Sequence, residues 1–177
     1  MCCILYVPAN VETPSIDRLY DVYVSNHDGC GFCDSDGNHC HTLSFNRFAR
    51  AIKKRSIHAD LIIHFRFATH GSVKTGNCHP FYDKDNDVWF AHNGVLPIDS
   101  VNDKTDSEIF FRTEFIPCVN RFGYDSKEVW QKADEARCSS RFIFMKGGNV
   151  KVLGEWHELD GVLYSNMRWQ NWIKFTA

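Results

Sequence analysis

A chain of 177 residues with 44% hydrophobic and 24% charged residues has the size and composition of one globular domain. Its formal net charge of −2 gives no electrostatic reason to expect nucleic acid or an anionic membrane surface as a partner. No apolar run approaches the roughly 20 residues that span a bilayer, and the N-terminus lacks the basic and apolar regions of a signal peptide. We therefore expect a single cytoplasmic domain over residues 1–177, with its eight cysteines reduced.

The spacing of apolar residues predicts strands at both ends of the chain and helices between them. Strands are predicted at 2–7, 59–67, 88–92, 141–146, 150–156 and 161–164, and a hairpin at 28–44. Helices are predicted at 15–24, at 45–57, at 105–122 and from Ser126 onwards. The polar segment 71–87 is predicted to be a loop. This order of elements favours an α+β fold with mostly antiparallel sheets.

The second residue is a cysteine, and its position gives it two interpretations. Removal of Met1 is expected because the side chain of Cys2 is small, and it would leave a thiol and a free α-amine on one residue. The amine titrates at about pH 8, so it could accept the proton of the thiol without a histidine. Taken alone, Cys2 is equally consistent with the start of a buried strand.

Arg66 stands at the end of the predicted strand 59–67, and Thr69, His70 and Gly71 end that strand. The planar guanidinium fork of an arginine suits a carboxylate ligand. The alternative is a surface arginine beside the core histidine His64.

Asn93 and Gly94 follow the predicted strand 88–92. The Asn93 side-chain amide and the Gly94 backbone N–H could donate to one oxyanion, and the loss of one such donor costs about 2.7–4 kcal/mol of barrier. The alternative is an ordinary Asn-Gly turn.

Asp106 and Glu108 lie in the first turn of the predicted helix 105–122. Asp106 could bind an ammonium group, so that Arg66 and Asp106 together would hold the two ends of an α-amino acid. The alternative is a helix N-terminus with a capping residue and favourable charge.

Taken together, these segments resemble the class II glutamine amidotransferases, which are N-terminal-nucleophile (Ntn) hydrolases. The resemblance covers residues 2–112 well and the remainder loosely, with Cys3 and Phe67 where glycine and tryptophan are more usual. It is carried by Cys2, Arg66-x-Ala68-Thr69-His70-Gly71, His92-Asn93-Gly94 and Asp106-Ser107-Glu108, with weaker similarity at Asp28-Gly29-Cys30-Gly31, Asn77-Cys78-His79-Pro80-Phe81 and Tyr164-Ser165-Asn166.

The resemblance implies a four-layer αββα sandwich and hydrolysis of the side-chain amide of L-glutamine to glutamate and ammonia. It implies that Cys2 forms a glutamyl thioester, with its α-amine as the base, and that Asn93 and Gly94 hold the oxyanion. No cofactor and no metal are implied.

The resemblance also implies a set of substrate-binding residues. Arg66 would bind the α-carboxylate with the help of Thr69 and His70, and Asp106 would bind the α-ammonium. The loop 72–80 would act as a lid that excludes water.

Three functional alternatives stay open at the level of the sequence. The domain could supply ammonia to a separate synthase subunit, docked by an aromatic tail that contains Trp169 and Trp172. It could instead hydrolyse a γ-glutamyl amide other than glutamine. If Met1 is retained, it could be a non-catalytic glutamine-binding module.

A zinc site is a further alternative for the hairpin 28–44, which holds three thiols and two imidazoles. The candidate ligands would be Cys30, Cys33, His39, Cys40 and His41. Against this, residues three apart on a strand point to opposite faces of the sheet, so Cys30 and Cys33 would need a turn between them.

Overall fold

The computed structural model describes residues 2–68, 72–100 and 103–173, with side chains up to residue 171. Within these residues, ten strands form two sheets in which all neighbouring strands are antiparallel. The six strands of the first sheet are β1 (Cys3–Val7), β2 (Cys30–Asp34), β3 (His39–Thr42), β4 (Leu61–Phe65), β9 (His157–Leu159) and β10 (Val162–Tyr164). Their order is β3-β2-β4-β1-β10-β9.

The second sheet has four strands in the order β5-β6-β7-β8. These are β5 (Phe81–Asp83), β6 (Val88–Asn93), β7 (Arg141–Lys146) and β8 (Asn149–Leu153). In the register of β6 and β7, Asn93 lies opposite Arg141.

The helices cover the outer faces of the two sheets. Helices α1 (Ile16–Val24) and α2 (Phe45–Ile52) pack on the first sheet. On the second sheet, α3 (Asp106–Ile109), a π-helical segment (Phe110–Phe115) and α4 (Ile116–Phe122) follow one another without a break, and α5 (Lys127–Ala136) packs beside them.

Hydroxyl side chains determine where several of these helices begin. Ser15, Ser44, Thr105 and Ser126 each accept a hydrogen bond from a backbone N–H in the first turn of the helix that follows. Such caps satisfy N–H groups that have no partner inside the helix.

Apolar residues fill the space between the two sheets. Because side chains alternate along a strand, Leu5 of β1 points to the helices while Ile4 points to the other sheet. The buried residues of this inner layer are Ile4, Cys33, Ile62, Trp89, Ala91, Ile143 and Met145. The layers therefore run helix, sheet, sheet, helix, which confirms the predicted α+β fold and αββα sandwich.

Several predicted elements differ from the observed ones. The helix predicted at 45–57 ends at Ile52, where i→i−3 hydrogen bonds from Lys54 and Arg55 tighten the chain. The predicted loop 71–87 contains a 3₁₀ turn (Thr75–Asn77) and strand β5, which is only three residues long and is defined by its pairing with β6.

Two short elements near the C-terminus were not predicted, namely β9 and the helix α6 (Gln170–Ile173). Trp169, which was considered for a docking surface, is 3% exposed and packs against Tyr164, so it belongs to the core. The side chain of Trp172 lies outside the described residues. Among the helices of the described residues, none combines the length and the apolar character needed to cross a membrane.

The core under α3–α5 depends on closely stacked aromatic rings. The ring of Phe144 lies 4.2 Å from that of Phe115 and 4.7 Å from that of Phe90, measured between centroids, and all three side chains are fully buried. Offset stacking of this kind adds to the free energy gained by burying the rings.

We predict that Phe144→Ala lowers the free energy of unfolding by about 3–5 kcal/mol, because it leaves a cavity where three rings meet. Urea-induced unfolding followed by circular dichroism measures the change. Phe122→Ala is the matched control, since Phe122 is 45% exposed, and a loss below about 1 kcal/mol is expected there. Equal losses in the two variants would contradict this account of the core.

Candidate active site

A small cavity of about 30 Å³ opens where the ends of the two sheets meet. Four of the predicted site residues line it, although they come from four separate parts of the chain: Cys2, Arg66, Gly94 and Asp106. The other lining residues are His64, Phe67, Asn77, His79, His92, Thr105 and Ser107. Two further predicted residues, Thr69 and His70, lie outside the described residues.

Cys2 precedes β1 and is held by contacts on both its backbone and its thiol. Its carbonyl accepts a 2.8 Å hydrogen bond from the Asn166 side-chain amide, and its Sγ lies 3.4 Å from the Phe67 backbone N–H. Burial raises the pKa of the thiol, and the Phe67 N–H and the Arg66 charge oppose that shift because both favour the thiolate.

Arg66 is 3% exposed and follows directly after β4. Its backbone N–H donates to the Gly29 carbonyl at 2.8 Å, and its carbonyl accepts from the Asp28 N–H at 3.0 Å. Its guanidinium donates to the Ser72 carbonyl at 3.0 Å. This hydrogen bond orients the guanidinium where it lines the cavity.

The Asp28-Gly29 segment holds the backbone around Arg66 in place. The Asp28 carboxylate accepts a 2.8 Å hydrogen bond from the Ala68 N–H, which fixes the chain just beyond Arg66. Two residues further on, a Cβ at Gly31 would overlap the carbonyl oxygen of His79. Glycine at this position therefore lets the segment that carries His79 pack directly on β2.

Asp106 is the first residue of α3 and is 6% exposed. One carboxylate oxygen accepts from the Leu96 N–H at 2.7 Å, and the other accepts from the Ser107 N–H at 2.8 Å. Each carboxylate oxygen can accept more than one hydrogen bond, so this anchored carboxylate can still receive an ammonium group.

Asn93 and Gly94 occupy different positions relative to the cavity. Gly94 lines it and has a φ of 149°, and a Cβ there would lie 3.0 Å from the Cα of Ser140. Asn93 is buried beside the cavity, and its Nδ2 donates to Ser165 Oγ at 2.8 Å. Its Oδ1 is buried without a hydrogen-bond partner among the described residues.

Ser165 and Asn166 support the site, although the sequence analysis assigned them no role and found only a weak family similarity at Tyr164-Ser165-Asn166. Ser165 Oγ accepts from the Ile4 N–H at 2.8 Å as well as from Asn93. The serine therefore ties the Asn93 amide to β1, while Asn166 ties the Cys2 carbonyl to the end of β10.

Three buried histidines form one wall of the cavity, and the sequence assigned no role to them. His64 Nε2 and His79 Nδ1 lie 3.1 Å apart, and His92 Nδ1 lies 2.7 Å from Ser107 Oγ. Burial lowers the pKa of His92 to about 4 and lowers the pKa values of His64 and His79 well below the ordinary value. The three rings are therefore neutral at pH 7, and Arg66 supplies a positive charge to the described lining of the cavity.

The loop 72–80 forms part of the wall and is anchored at residue 103. The N–H and hydroxyl of Ser72 donate to the two carboxylate oxygens of Asp103 at 2.9 and 2.8 Å, and Lys74 forms an ion pair with the same carboxylate. Asn77 is buried and donates to the Ser72 carbonyl at 2.9 Å. The role of this loop as a lid stays a prediction.

The alternative zinc site in the hairpin is not supported by the positions of its thiols. Cys30 packs in the core under α1 and α2, while Cys33 lies between the sheets, so the two side chains point to opposite faces of β2. Across the described ranges, no group of three or more His, Cys, Asp or Glu side chains is arranged to hold a metal ion.

Part of the sequence matches a known protein family. Residues 37–118 match the family of class-II glutamine amidotransferases. This central part of the chain is similar to class II glutamine amidotransferase domains. The matched range includes Arg66, Asn93, Gly94 and Asp106, while Cys2 precedes it. A comparison with curated protein sequences finds no match.

Two solved structures share the fold of this chain. The glutamine phosphoribosylpyrophosphate amidotransferase from B. subtilis, complexed with ADP and GMP, superposes with a TM-score of 0.56 at 15% identity. A structure described as the allosteric regulatory enzyme of purine biosynthesis gives the same TM-score at 16% identity. Each match covers 93% of this chain but 41% of the other, so the chain spans less than half the length of these proteins. The likeness shows that this chain shares the fold of the matched part of these structures.

The neutral histidines lead to a prediction about stability at acid pH. Unfolded histidines bind protons below about pH 6.5, whereas the folded His92 does so only near pH 4. Because the unfolded state binds more protons in this interval, the free energy of unfolding falls as the pH drops from 6.5 towards 4.

We predict that His92→Gln reduces this pH dependence by about 1 kcal/mol per pH unit. Urea titrations at several pH values between neutrality and mild acid give the slope. His157→Gln, at an exposed position, is the matched control. If both variants keep the slope of the unmodified protein, His92 does not contribute to the pH dependence of stability.

Proposed function

We propose that this class II amidotransferase domain hydrolyses the side-chain amide of glutamine to glutamate and ammonia, with Cys2 as the nucleophile. The observation that carries the proposal is the convergence of a thiol, a guanidinium, a carboxylate and a glycine N–H on one cavity. Cys2, Arg66, Asp106 and Gly94 are far apart in the sequence, and a purely structural role for each would not bring them together.

The nucleophile requires the removal of Met1. While Met1 is attached, the nitrogen of Cys2 is an amide and cannot accept a proton, and burial keeps the thiol protonated at neutral pH. After removal, the α-amine accepts the thiol proton and Sγ attacks the amide carbon of glutamine. The same amine then returns the proton to the leaving nitrogen as the C–N bond breaks. Water hydrolyses the resulting thioester and releases glutamate.

The negative charge of the tetrahedral intermediate needs donors that are already oriented. The Gly94 N–H at the cavity is one. The second donor is the Asn93 side-chain amide, rotated by half a turn about its Cβ–Cγ bond so that its oxygen and nitrogen exchange places. In this orientation the Ser165 hydroxyl donates to Oδ1. The NH₂ group then occupies the position of the unpartnered Oδ1. In this proposal the unsatisfied position beside Asn93 belongs to the oxyanion hole.

The charges of Arg66 and Asp106 give the site its selectivity for an α-amino acid, one for the α-carboxylate and one for the α-ammonium. The cavity has a volume of about 30 Å³, room for about two water molecules, and in this proposal its wall moves as glutamine enters. Asn77 and His79 bring the loop 72–80 into that wall, which supports its proposed role as a lid.

Two other readings remain as alternatives. Hydrolysis of a different γ-glutamyl amide uses the same residues and differs only in the leaving amine. Binding of glutamine without catalysis follows if Met1 is retained. Delivery of the ammonia to a separate synthase subunit stays a prediction.

We predict that the purified protein lacks Met1 and takes up one equivalent of a diazo-ketone analogue of glutamine on Cys2. Intact mass spectrometry before and after incubation measures both features. Cys2→Ala should abolish the adduct, and Cys138→Ala should retain it because Cys138 is an exposed cysteine outside the cavity. An adduct that persists in Cys2→Ala would refute the assignment of the nucleophile. Retention of Met1 without an adduct would favour the non-catalytic reading.

We predict that Ser165→Ala lowers kcat for glutamine hydrolysis by about 10–100-fold with little change in KM. The Asn93 amide loses its hydrogen bond to Ser165, and the charge that this amide would stabilise exists only in the transition state. Steady-state ammonia release measures the two constants. Ser165→Thr keeps a hydroxyl and should recover most of the rate. A rise in KM with an unchanged kcat would instead place Ser165 in substrate binding.

A further inference from the structure

Ser107 lies next to Asp106 in α3, lines the cavity of the candidate active site and is 3% exposed. Its hydroxyl takes part in two hydrogen bonds. Ser107 Oγ donates to Asp106 Oδ1 at 3.2 Å and lies 2.7 Å from His92 Nδ1. The direction of this buried hydroxyl is therefore fixed, since turning it away would leave polar partners unsatisfied in the wall of the cavity.

The directions of the two hydrogen bonds follow from the number of protons available. A hydroxyl has one proton and the Asp106 carboxylate only accepts, so the Ser107 proton points to Asp106. The contact with His92 is then a hydrogen bond only if the ring donates, which places the ring proton on Nδ1. The chain of donors therefore runs from His92 through Ser107 to Asp106.

The hydroxyl of Ser107 determines which acceptor positions of Asp106 remain free. A carboxylate has about four acceptor positions, two on each oxygen. Oδ1 accepts from the N–H and from the hydroxyl of Ser107, at 2.8 and 3.2 Å, and Oδ2 accepts from the Leu96 N–H at 2.7 Å. Both positions of Oδ1 are therefore filled, and one position on Oδ2 is left for a further donor.

The same contacts fix Asp106 relative to the proposed oxyanion donor Gly94. His92 and Leu96 lie on either side of Gly94 in the chain. Each makes a hydrogen bond to the start of α3, His92 to Ser107 and Leu96 to Asp106. Because the chain is attached to α3 on both sides of Gly94, the distance between the Gly94 N–H and the Asp106 carboxylate is held by two contacts.

Helix capping does not account for the Ser107 hydroxyl. Thr105 is the capping residue of α3, and its side chain accepts from the Glu108 N–H at 3.2 Å. Within the described part of the chain, the Ser107 hydroxyl forms hydrogen bonds only to the side chains of His92 and Asp106, which also line the cavity. Its contacts therefore serve the cavity wall and not the backbone of the helix.

We propose that Ser107, oriented by His92, is a positioning residue that holds the Asp106 carboxylate with one free acceptor position for the α-ammonium group of the substrate. The inference rests on the proposed function and concerns the same cavity. Ser107 acts through Asp106 and does not contact the reacting atoms. It therefore contributes to binding of the α-amino acid end of glutamine, while Cys2 forms and releases the thioester.

The first test separates KM from kcat in Ser107→Ala. The contact between the α-ammonium and Asp106 is present in the bound substrate and in the transition state alike, so weakening it raises KM and changes kcat little. We expect KM for glutamine to rise about tenfold, the effect of one hydrogen bond to a charged group. Ser107→Thr keeps a hydroxyl and should recover most of the affinity.

The second test uses L-glutamate and glutarate as competitive inhibitors of glutamine hydrolysis, because the two differ only in the α-ammonium group. In Ser107→Ala the inhibition constant of glutamate should rise about tenfold, and that of glutarate, which has no group for Asp106 to bind, should rise much less. His92→Leu removes the ring donor and should act in the same direction. His92→Asn keeps an N–H donor near the position of Nδ1 and should act less strongly.

Ser126→Ala is the matched control, because it also removes a hydroxyl at the start of a helix and Ser126 does not line the cavity. Both inhibition constants should equal those of the unmodified protein, and thermal unfolding verifies that each variant is folded. If Ser107→Ala changes the constants of glutamate and glutarate equally, or lowers kcat with KM unchanged, the positioning role is overturned and the proposed function stays intact. If unmodified protein that lacks Met1 does not hydrolyse glutamine, the proposed function and the inference are overturned together.

Discussion

The backbone hydrogen bonds of β1 constrain most of the other features of this molecule. The strand is central in its sheet, with Cys3 opposite Phe65 of β4 and Leu5 opposite Tyr164 of β10. This pairing places Cys2 at the end of the sheet, next to the residues that follow β4 and those that follow β10. A shift of the register by one residue would exchange the two faces of the strand and move the thiol away from the cavity.

Close approach of backbone segments is the second constraint. Gly31, Gly94 and Gly154 each lie where a Cβ would collide with the backbone or with Ser140. Through these contacts the loop 72–80 reaches β2, and the end of β6 reaches the start of β7. The site is therefore assembled from rigid strand ends, which suits a reaction whose intermediate needs donors oriented in advance.

Among the described residues, the cavity is lined by two charged side chains and by three buried histidines that are neutral. Arg66 and Asp106 carry the charges, and each is anchored by backbone groups that fix its direction. His64, His79 and His92 stay uncharged because burial disfavours their protonated forms. The positive charge of Arg66 therefore lies beside three histidine side chains that add no charge of their own at neutral pH.

The sequence by itself determined an α+β fold with mostly antiparallel sheets, because strand alternation and helix caps are local and leave their pattern in the chain. The family resemblance added the αββα sandwich. Short motifs singled out Cys2, Arg66, Gly94 and Asp106, which the structure brings to one cavity. It missed β5 and β9, which are three residues long and owe their form to the strands beside them. Only the tertiary structure decided that Ser165 supports Asn93 and that three histidines share one wall of the cavity. These groups lie up to about 160 residues apart in the chain, and their proximity follows from sheet pairing and packing, which no local pattern encodes.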